Sequence, residues 1–179
     1  MMKMSLEKPS AIDVPDIEGR KARNRMSTTA SHDILGARAA LETFYNAFNT
    51  RNLGLMTHIW LNDPLVQLST PFVGIIHGRD NIAKQYERAF SAPDRMVADK
   101  LNFVEYWREN MVVYAGRERA EYSSGDTNFE IESRTTSVVM YSPERKRWRM
   151  AYHNVSIDDS ELLARYERAI RQPSVIHGT

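Results

Sequence analysis

Apolar residues begin to recur at a helical spacing about thirty residues into the chain. Ser31 and Asp33 are polar residues able to cap a helix, and after them Ile34, Leu41, Phe44, Tyr45 and Phe48 fall on one helical face. That pattern predicts a helix ending at Asn49-Thr50-Arg51-Asn52. Leu53, Met56, Ile59 and Trp60 predict a second, short helix, which stops before Asn62-Asp63-Pro64 because a residue preceding proline disfavours the α region. Leu65-Val66-Gln67-Leu68 reads as a short strand. Gly78-Arg79-Asp80 opens a third helix carrying Ile82, Tyr86, Ala89 and Phe90 on one face, and Ser91-Ala92-Pro93-Asp94 closes it.

Beyond residue 95 the period changes. Met96 to Trp107, Met111 to Tyr122, Phe129 to Ser142 and Trp148 to Ser156 are extended segments rich in β-branched and aromatic residues. Glu109-Asn110, Ser123-Ser124-Gly125-Asp126 and Ser142-Pro143-Glu144-Arg145 supply the turns, so consecutive strands pair most simply in antiparallel fashion. A last helix follows Asp158, whose spacing to Glu161 suggests a capping box, and it carries Leu162, Leu163, Tyr166 and Ile170. Helices first and antiparallel strands afterwards make an α+β fold, in which a long curved sheet wraps the helices and leaves a pocket.

Residues 1–30 differ from everything that follows. Two prolines, scattered charges and isolated apolar residues give them too little surface to bury against the entropy of ordering, so they are expected to form a mobile arm. Met26-Ser27-Thr28-Thr29, where the composition changes, is a candidate second start of translation. The expected organisation is an arm over residues 1–30, one domain over 31–157, and a C-terminal helix and tail over 158–179.

Charge and composition narrow the chemistry. The 179 residues hold 24 Lys+Arg against 23 Asp+Glu, with acids interleaved among the bases, which argues against nucleic acid as a partner. There is no cysteine, which removes thiol nucleophiles, Cys–zinc sites and iron–sulfur clusters. No apolar run reaches the roughly 18–20 residues of a membrane helix, and the first residues lack the apolar stretch of a secretory signal, so no membrane partner and a cytoplasmic location are expected. His32, His58, His77, His153 and His177 do not fall at metal-ligand spacing such as H-x-x-x-H, and no metal or cofactor is expected.

Four runs then point to a family. Leu41-Glu42-Thr43-Phe44-Tyr45-Asn46-Ala47-Phe48-Asn49-Thr50-Arg51-Asn52-Leu53, Ile59-Trp60-Leu61-Asn62-Asp63, Ile76-His77-Gly78-Arg79-Asp80-Asn81-Ile82 and Arg147-Trp148-Arg149-Met150-Ala151-Tyr152-His153-Asn154-Val155-Ser156 stand in one order across residues 33–157. Together they resemble the nuclear transport factor 2-like superfamily, especially its SnoaL-like stand-alone members. The resemblance implies a cone: a curved antiparallel sheet around N-terminal helices, here with an extra C-terminal helix. It also implies homodimers formed through the convex side of the sheet. It implies no single chemistry, because the superfamily includes isomerases, dehydratases, epoxide hydrolases, cyclases and kinase association domains.

Carried over residue by residue, the ketosteroid isomerase-like pattern puts Thr70 where an aspartate base belongs, Phe44 where a phenolic donor belongs and Ser137 where a carboxylic donor belongs. Only Tyr86, a supporting tyrosine, is retained, and Tyr45 stands roughly 100° around the helix from Phe44. No complete dehydratase or epoxide hydrolase set is present. The same pattern turns Arg149, Ala151, His153 and Val155 toward the pocket and Trp148, Met150, Tyr152 and Asn154 outward, which makes Trp148, Met150 and Tyr152 the expected dimer contacts.

His153 is the candidate for proton chemistry, since imidazole titrates nearest neutrality; the competing reading is a buried histidine satisfied by its neighbours. Ser133, Thr135 and Ser137 share one strand face and either meet a ligand or one another. Arg117 and Arg119 alternate with Glu118; turned inward, Arg117 would bind a carboxylate, and turned outward it meets solvent or a partner. Phe44, Trp60, Tyr86 and Phe90 would form an apolar wall. Two function classes follow. One is a dimeric small-molecule-binding or assembly domain; the other is an isomerase-, dehydratase- or cyclase-type pocket enzyme using His153 on a small apolar or carboxylated molecule.

Overall fold

The computed structural model describes residues 8–12 and 19–171. Four helices and seven strands follow in the order β1 (Ser10–Ala11), α1 (Ile34–Asn49), α2 (Leu53–Ile59), β2 (Gln67–Thr70), β3 (Gly74–His77), α3 (Arg79–Ser91), β4 (Arg95–Arg108), β5 (Met111–Ser124), β6 (Thr127–Ser142), β7 (Arg147–Ser156) and α4 (Ser160–Arg171). The α+β order read from periodicity holds, and the long strands start and end within two residues of expectation. The sheet runs β1-β4-β5-β6-β7-β2-β3 and is open at both edges. It is mixed rather than wholly antiparallel, because β2 lies parallel to β7, with Leu68 opposite His153.

Local chemistry explains the boundaries. The Asp33 side chain accepts from the Gly36 N–H and caps α1, while Asn52 accepts from Leu55 and caps α2. Gly78, at φ 81°, turns the chain from β3 into α3 in a region that a side chain resists. Asp159, rather than Asp158, accepts from the first amides of α4, namely Glu161 and Leu162. Asp158 instead faces Arg117 and Arg134.

The sheet curls around α1, whose Ala37, Ala40, Leu41, Phe44, Tyr45 and Ala47 are buried against it. Two irregularities in register bend the strands, one between Leu101 and Val104 on β4 and one where Val138 and Val139 of β6 face Tyr152 and Met150 of β7. The second leaves Ala151 without an opposite residue, a β-bulge, and a bulge reverses the inward–outward alternation of everything beyond it.

This bulge corrects the reading of β7. Before it, Trp148 and Met150 point inward and are fully buried; after it, His153 and Val155 do. Trp148 is no dimer contact. It donates its indole N–H to the Ser31 carbonyl at 2.9 Å and packs on Trp107 and Tyr141. A Cβ on Gly36 would stand 2.7 Å from its ring, so this helix turn must be glycine to come so close. Only Tyr152 of the three expected contacts keeps an outward place.

The expected arm is partly a packed strap. Residues 1–7 and 13–18, and the tail 172–179 with His177, lie outside the described residues. Ser10 and Ala11 pair with Glu105 and Val104 of β4, Ile12 is buried, and Thr29 is fully buried. Residues 19–26 run along the polar side of α1. There Glu42 takes the backbone N–H of Arg23 and the guanidinium of Arg25, Thr43 accepts from the Arg25 N–H, and Asn46 donates to the Ala22 carbonyl. Asn49 donates to the carbonyls of Gly19 and Ala98. Hydrogen bonds from buried polar groups hold this segment, so a test based on apolar burial misses it.

Candidate functional site

Small inward residues hollow out one end of the cone. Ala98 on β4, Ala120 on β5, Ser133 on β6 and Val155 on β7 leave a cavity of about 290 Å³. Phe44 and Phe48 of α1 and Tyr86 and Phe90 of α3 line one side, with ring centroids 5.6–6.5 Å apart between neighbours. α4 closes the open end, where Tyr166 packs edge-on against Phe72 at 4.4 Å and Tyr122 at 5.4 Å, and Ile170 reaches the cavity.

His153 and Glu118 are buried among the polar groups that interrupt this apolar lining. His153 is buried on β7 with Nδ1 2.9 Å from Ser137 Oγ, and its ring lies 4.6 Å from that of Phe44. Among the described residues nothing engages Nε2. Burial pulls the pKa of this imidazole from the usual 6.5 to about 3, because no carboxylate stands beside it to hold a proton. The ring is therefore neutral across the physiological range, contrary to the expectation that it titrates near neutrality.

The group that does titrate there is Glu118. It is buried on β5, lines the cavity, and accepts a 2.8 Å hydrogen bond from the Tyr45 hydroxyl on Oε2. Desolvation raises its pKa from 4.5 to about 7; the Tyr45 hydrogen bond and the charge of Lys100 oppose the rise, and Asp99 adds to it. Tyr45 is itself fully buried, and desolvation together with the adjacent carboxylate pushes its pKa up, so its hydroxyl stays a donor.

Lys100 lies directly across the β4–β5 ladder from Glu118 on the same face. Its ammonium sits over the rings of Phe103 at 4.9 Å and Tyr45 at 5.7 Å, behind the cavity wall rather than in it. Burial lowers its pKa to about 7, against the pull of Glu42, Glu105 and Glu118. Beyond Lys100, Arg38 grips Glu105 with two 3.0 Å hydrogen bonds.

The expected site residues separate into three groups. Phe44, Thr70, Tyr86, His153 and Val155 line the cavity. Trp60, Thr135 and Ser137 are buried outside its surface: Trp60 packs on Phe44 at 6.3 Å, and Ser137 stands behind His153. Arg117 faces outward, paired with Glu132 and Asp158, and Arg119 faces outward toward Glu130. This corrects Arg117 as a pocket residue, and the cause is the register of β5. Val112, Tyr114, Glu118, Ala120 and Tyr122 are the buried set, so the alternate residues, Arg117 and Arg119 among them, take the outer face. That shared parity was the signal for Glu118, and Tyr45 became its partner because the cavity floor spans more of α1 than the Phe44 direction alone.

Residues 37–160 match the family model described as a SnoaL-like domain. The chain belongs to the SnoaL-like family. No curated protein matches it in sequence. Among solved structures, a nuclear transport factor 2-like protein from Salmonella enterica serovar Typhimurium is similar at 13% identity and TM-score 0.60, over 78% of this chain and 92% of that one. A protein from Thiobacillus denitrificans, described as a calcium/calmodulin-dependent protein kinase type II association domain, is similar at 24% identity and TM-score 0.55, over 68% of this chain and 94% of that one. A protein from Streptomyces avermitilis, described as a dehydratase of the nuclear transport factor 2-like family, is similar at 15% identity and TM-score 0.60, over 68% and 92%. These likenesses establish the cone of the superfamily. Within this SnoaL-like chain, the three positions carried over from isomerase-like relatives hold Thr70, Phe44 and Ser137, none of which supplies a carboxyl, and Glu118 on the strand next to Ser137 is a buried acid that lines the cavity. Among the described residues no helix is long and apolar enough to cross a membrane.

Proposed function

We propose that this SnoaL-like domain binds a small, mostly apolar molecule in the cone and that Glu118 is the group that hydrogen-bonds to it or exchanges a proton with it. One observation carries the reading: a carboxyl with a pKa of about 7 opens into an aromatic cavity, braced by a phenol. Neutral His153 supplies a second hydrogen-bonding point. Native mass spectrometry of purified full-length protein tests the reading. A retained small molecule that is absent from an Ala120→Trp variant of the same fold supports it; loss of nothing on filling the cavity, with no melting shift from any apolar compound, overturns it.

Turnover is the second reading, favoured by the same Glu118. A carboxyl half-ionised at neutral pH suits both taking and returning a proton, and it replaces His153 as the acid–base group of a dehydratase- or isomerase-type reaction. Glu118→Gln would then abolish turnover while binding persists.

Self-association belongs to the same proposal. Tyr106, Val113, Val138 and Tyr152 lie side by side on the outer face across β4 to β7, with the exposed pair Met111 and Met140 next to them. The rest of that face is charged, with Arg117 opposite Arg134 and Arg119 opposite Glu132. A second copy covering the apolar row would bury it. A dimer by sedimentation at micromolar concentration that becomes a monomer on Tyr152→Glu supports this; a monomeric wild type excludes it.

A further inference from the structure

The lining of the cavity carries carboxyl groups and no free cation. Among the described residues Glu118 has no ion-pair partner and no donor to Oε1, while its Oε2 takes the Tyr45 hydroxyl. Arg51 is the one guanidinium on the lining, and its nitrogens are bound to the carbonyls of Phe90 in the last turn of α3 and of Ala92 and Asp94 just beyond it. Asp94 adds a second carboxylate at the same rim. Arg117, the residue expected to welcome an anion, points away. A carboxylated ligand would therefore meet two acids and no free cation.

The walls favour the opposite charge. The rings of Phe44, Phe48, Tyr86, Phe90, Tyr122 and Tyr166 line the same space, and an aromatic ring that turns its negative face to a cation attracts it most strongly where water is excluded. Building on the binding reading above, we infer that the ligand is a hydrophobic amine, bound as its ammonium ion against Glu118 and enclosed by these rings. The apolar remainder of the molecule fills the space left by Ala98, Ala120 and Val155.

Proton accounting follows. In the empty cavity Glu118 is about half protonated at neutral pH. An arriving ammonium binds the carboxylate, so the carboxyl proton leaves to solvent and binding strengthens as pH rises. The groups facing Glu118 act consistently with this: Tyr45 from α1 and Tyr86 from α3 remain neutral, His153 from β7 remains neutral, Asp99 from β4 repels the carboxylate, and Lys100 from β4 loses its competing charge over the same range.

Calorimetric titration of the full chain with phenethylamine, phenethyl alcohol and phenylacetate tests the inference, because the three differ mainly in the polar end. The expected result is that the amine binds at least about tenfold tighter than the alcohol at pH 8, with phenylacetate weakest. Amine affinity should rise about tenfold from pH 6 to pH 8, following the ionised fraction of one carboxyl, with net proton release detected by changing the buffer. Glu118→Gln should bring the amine-to-alcohol ratio to about one and flatten most of the pH dependence. Alcohol or phenylacetate binding as tightly as the amine at pH 8 overturns the amine inference and leaves the cavity reading standing. Binding of none of the three at millimolar concentration overturns both.

Discussion

One end of the cone is filled and the other is hollow, although the same four strands build both. At the filled end the inward residues are Trp107, Val112, Tyr114, Val139, Trp148 and Met150, whose bulk closes the space against α1. At the hollow end the strands present Ala98, Ala120, Ser133 and Val155, and the cavity remains. The difference lies in side-chain volume at equivalent positions of one alternation, and it separates two tasks. The filled end holds α1 to the sheet by close packing, while the hollow end keeps a buried carboxyl at a cost in stability that dense packing elsewhere offsets.

The sharpest break of this contrast is Trp148→Ala. Removing a fully buried indole, together with its hydrogen bond to Ser31, should destabilise the protein by roughly 3–5 kcal/mol, read as a large fall in melting temperature or failure to fold. A loss below about 1 kcal/mol would show that the filled end is not where the stability resides.

At the hollow end the effect of Glu118→Gln should have the opposite sign. The folded-state pKa of about 7 lies above the ordinary 4.5, so the carboxyl favours the folded chain fully below pH 4.5 and that contribution is lost as pH rises through 7. Over this interval the loss amounts to about 3 kcal/mol at about 1.4 kcal/mol per pH unit. Glutamine removes the titration, so the variant should gain in melting temperature over wild type from pH 4 to pH 8. His153 works the other way, because its depressed pKa contributes stability above pH 6.5 that is lost as pH falls toward 3. Between pH 6.5 and 4.5 the two trends offset in the wild type, and Glu118→Gln should expose the histidine slope as a steeper acid decline. Parallel pH profiles for the two proteins would contradict the assignment of either group.

The smallest effect is expected from Ala120→Leu. Added methylenes enter existing space rather than a filled core, so stability should shift by no more than about 1 kcal/mol in either direction, while phenethylamine binding falls sharply. A destabilisation of several kcal/mol would mean that the hollow end is as tightly packed as the other.

Much of this was legible in the residues. Helical spacing from Ile34 to Phe48 and the strand texture after residue 95 are local patterns, and the elements they announce are present. Phe44, Tyr86 and His153 line the cavity. Three features were not legible. The strap over residues 19–30 is held by Glu42, Thr43, Asn46 and Asn49, which read as an ordinary polar helix face until something lies across it. β3 has no counterpart among the expected elements, since Gly74-Ile75-Ile76-His77 is too short to show a period. The facing of β5 stayed open because Met111, Val113 and Ala115 share the parity of Arg117 and Arg119, which masks the signal of Val112, Tyr114, Ala120 and Tyr122 on the parity of Glu118.

The sequence by itself determined the order of the helices and long strands and the α+β class, because caps, breakers and apolar period act over a few neighbouring residues; the family came from the resemblance of four runs of residues. Only the tertiary structure decided which side chains meet. The bulge at Ala151 sent Trp148 inward ahead of His153, the parallel seam of β2 and β7 set Leu68 opposite His153, and curvature brought Tyr45 to Glu118. Charge state belongs to the same category. Desolvation depends on every group that surrounds a side chain, so an unremarkable glutamate between two arginines titrates near neutrality only after the sheet has closed over it.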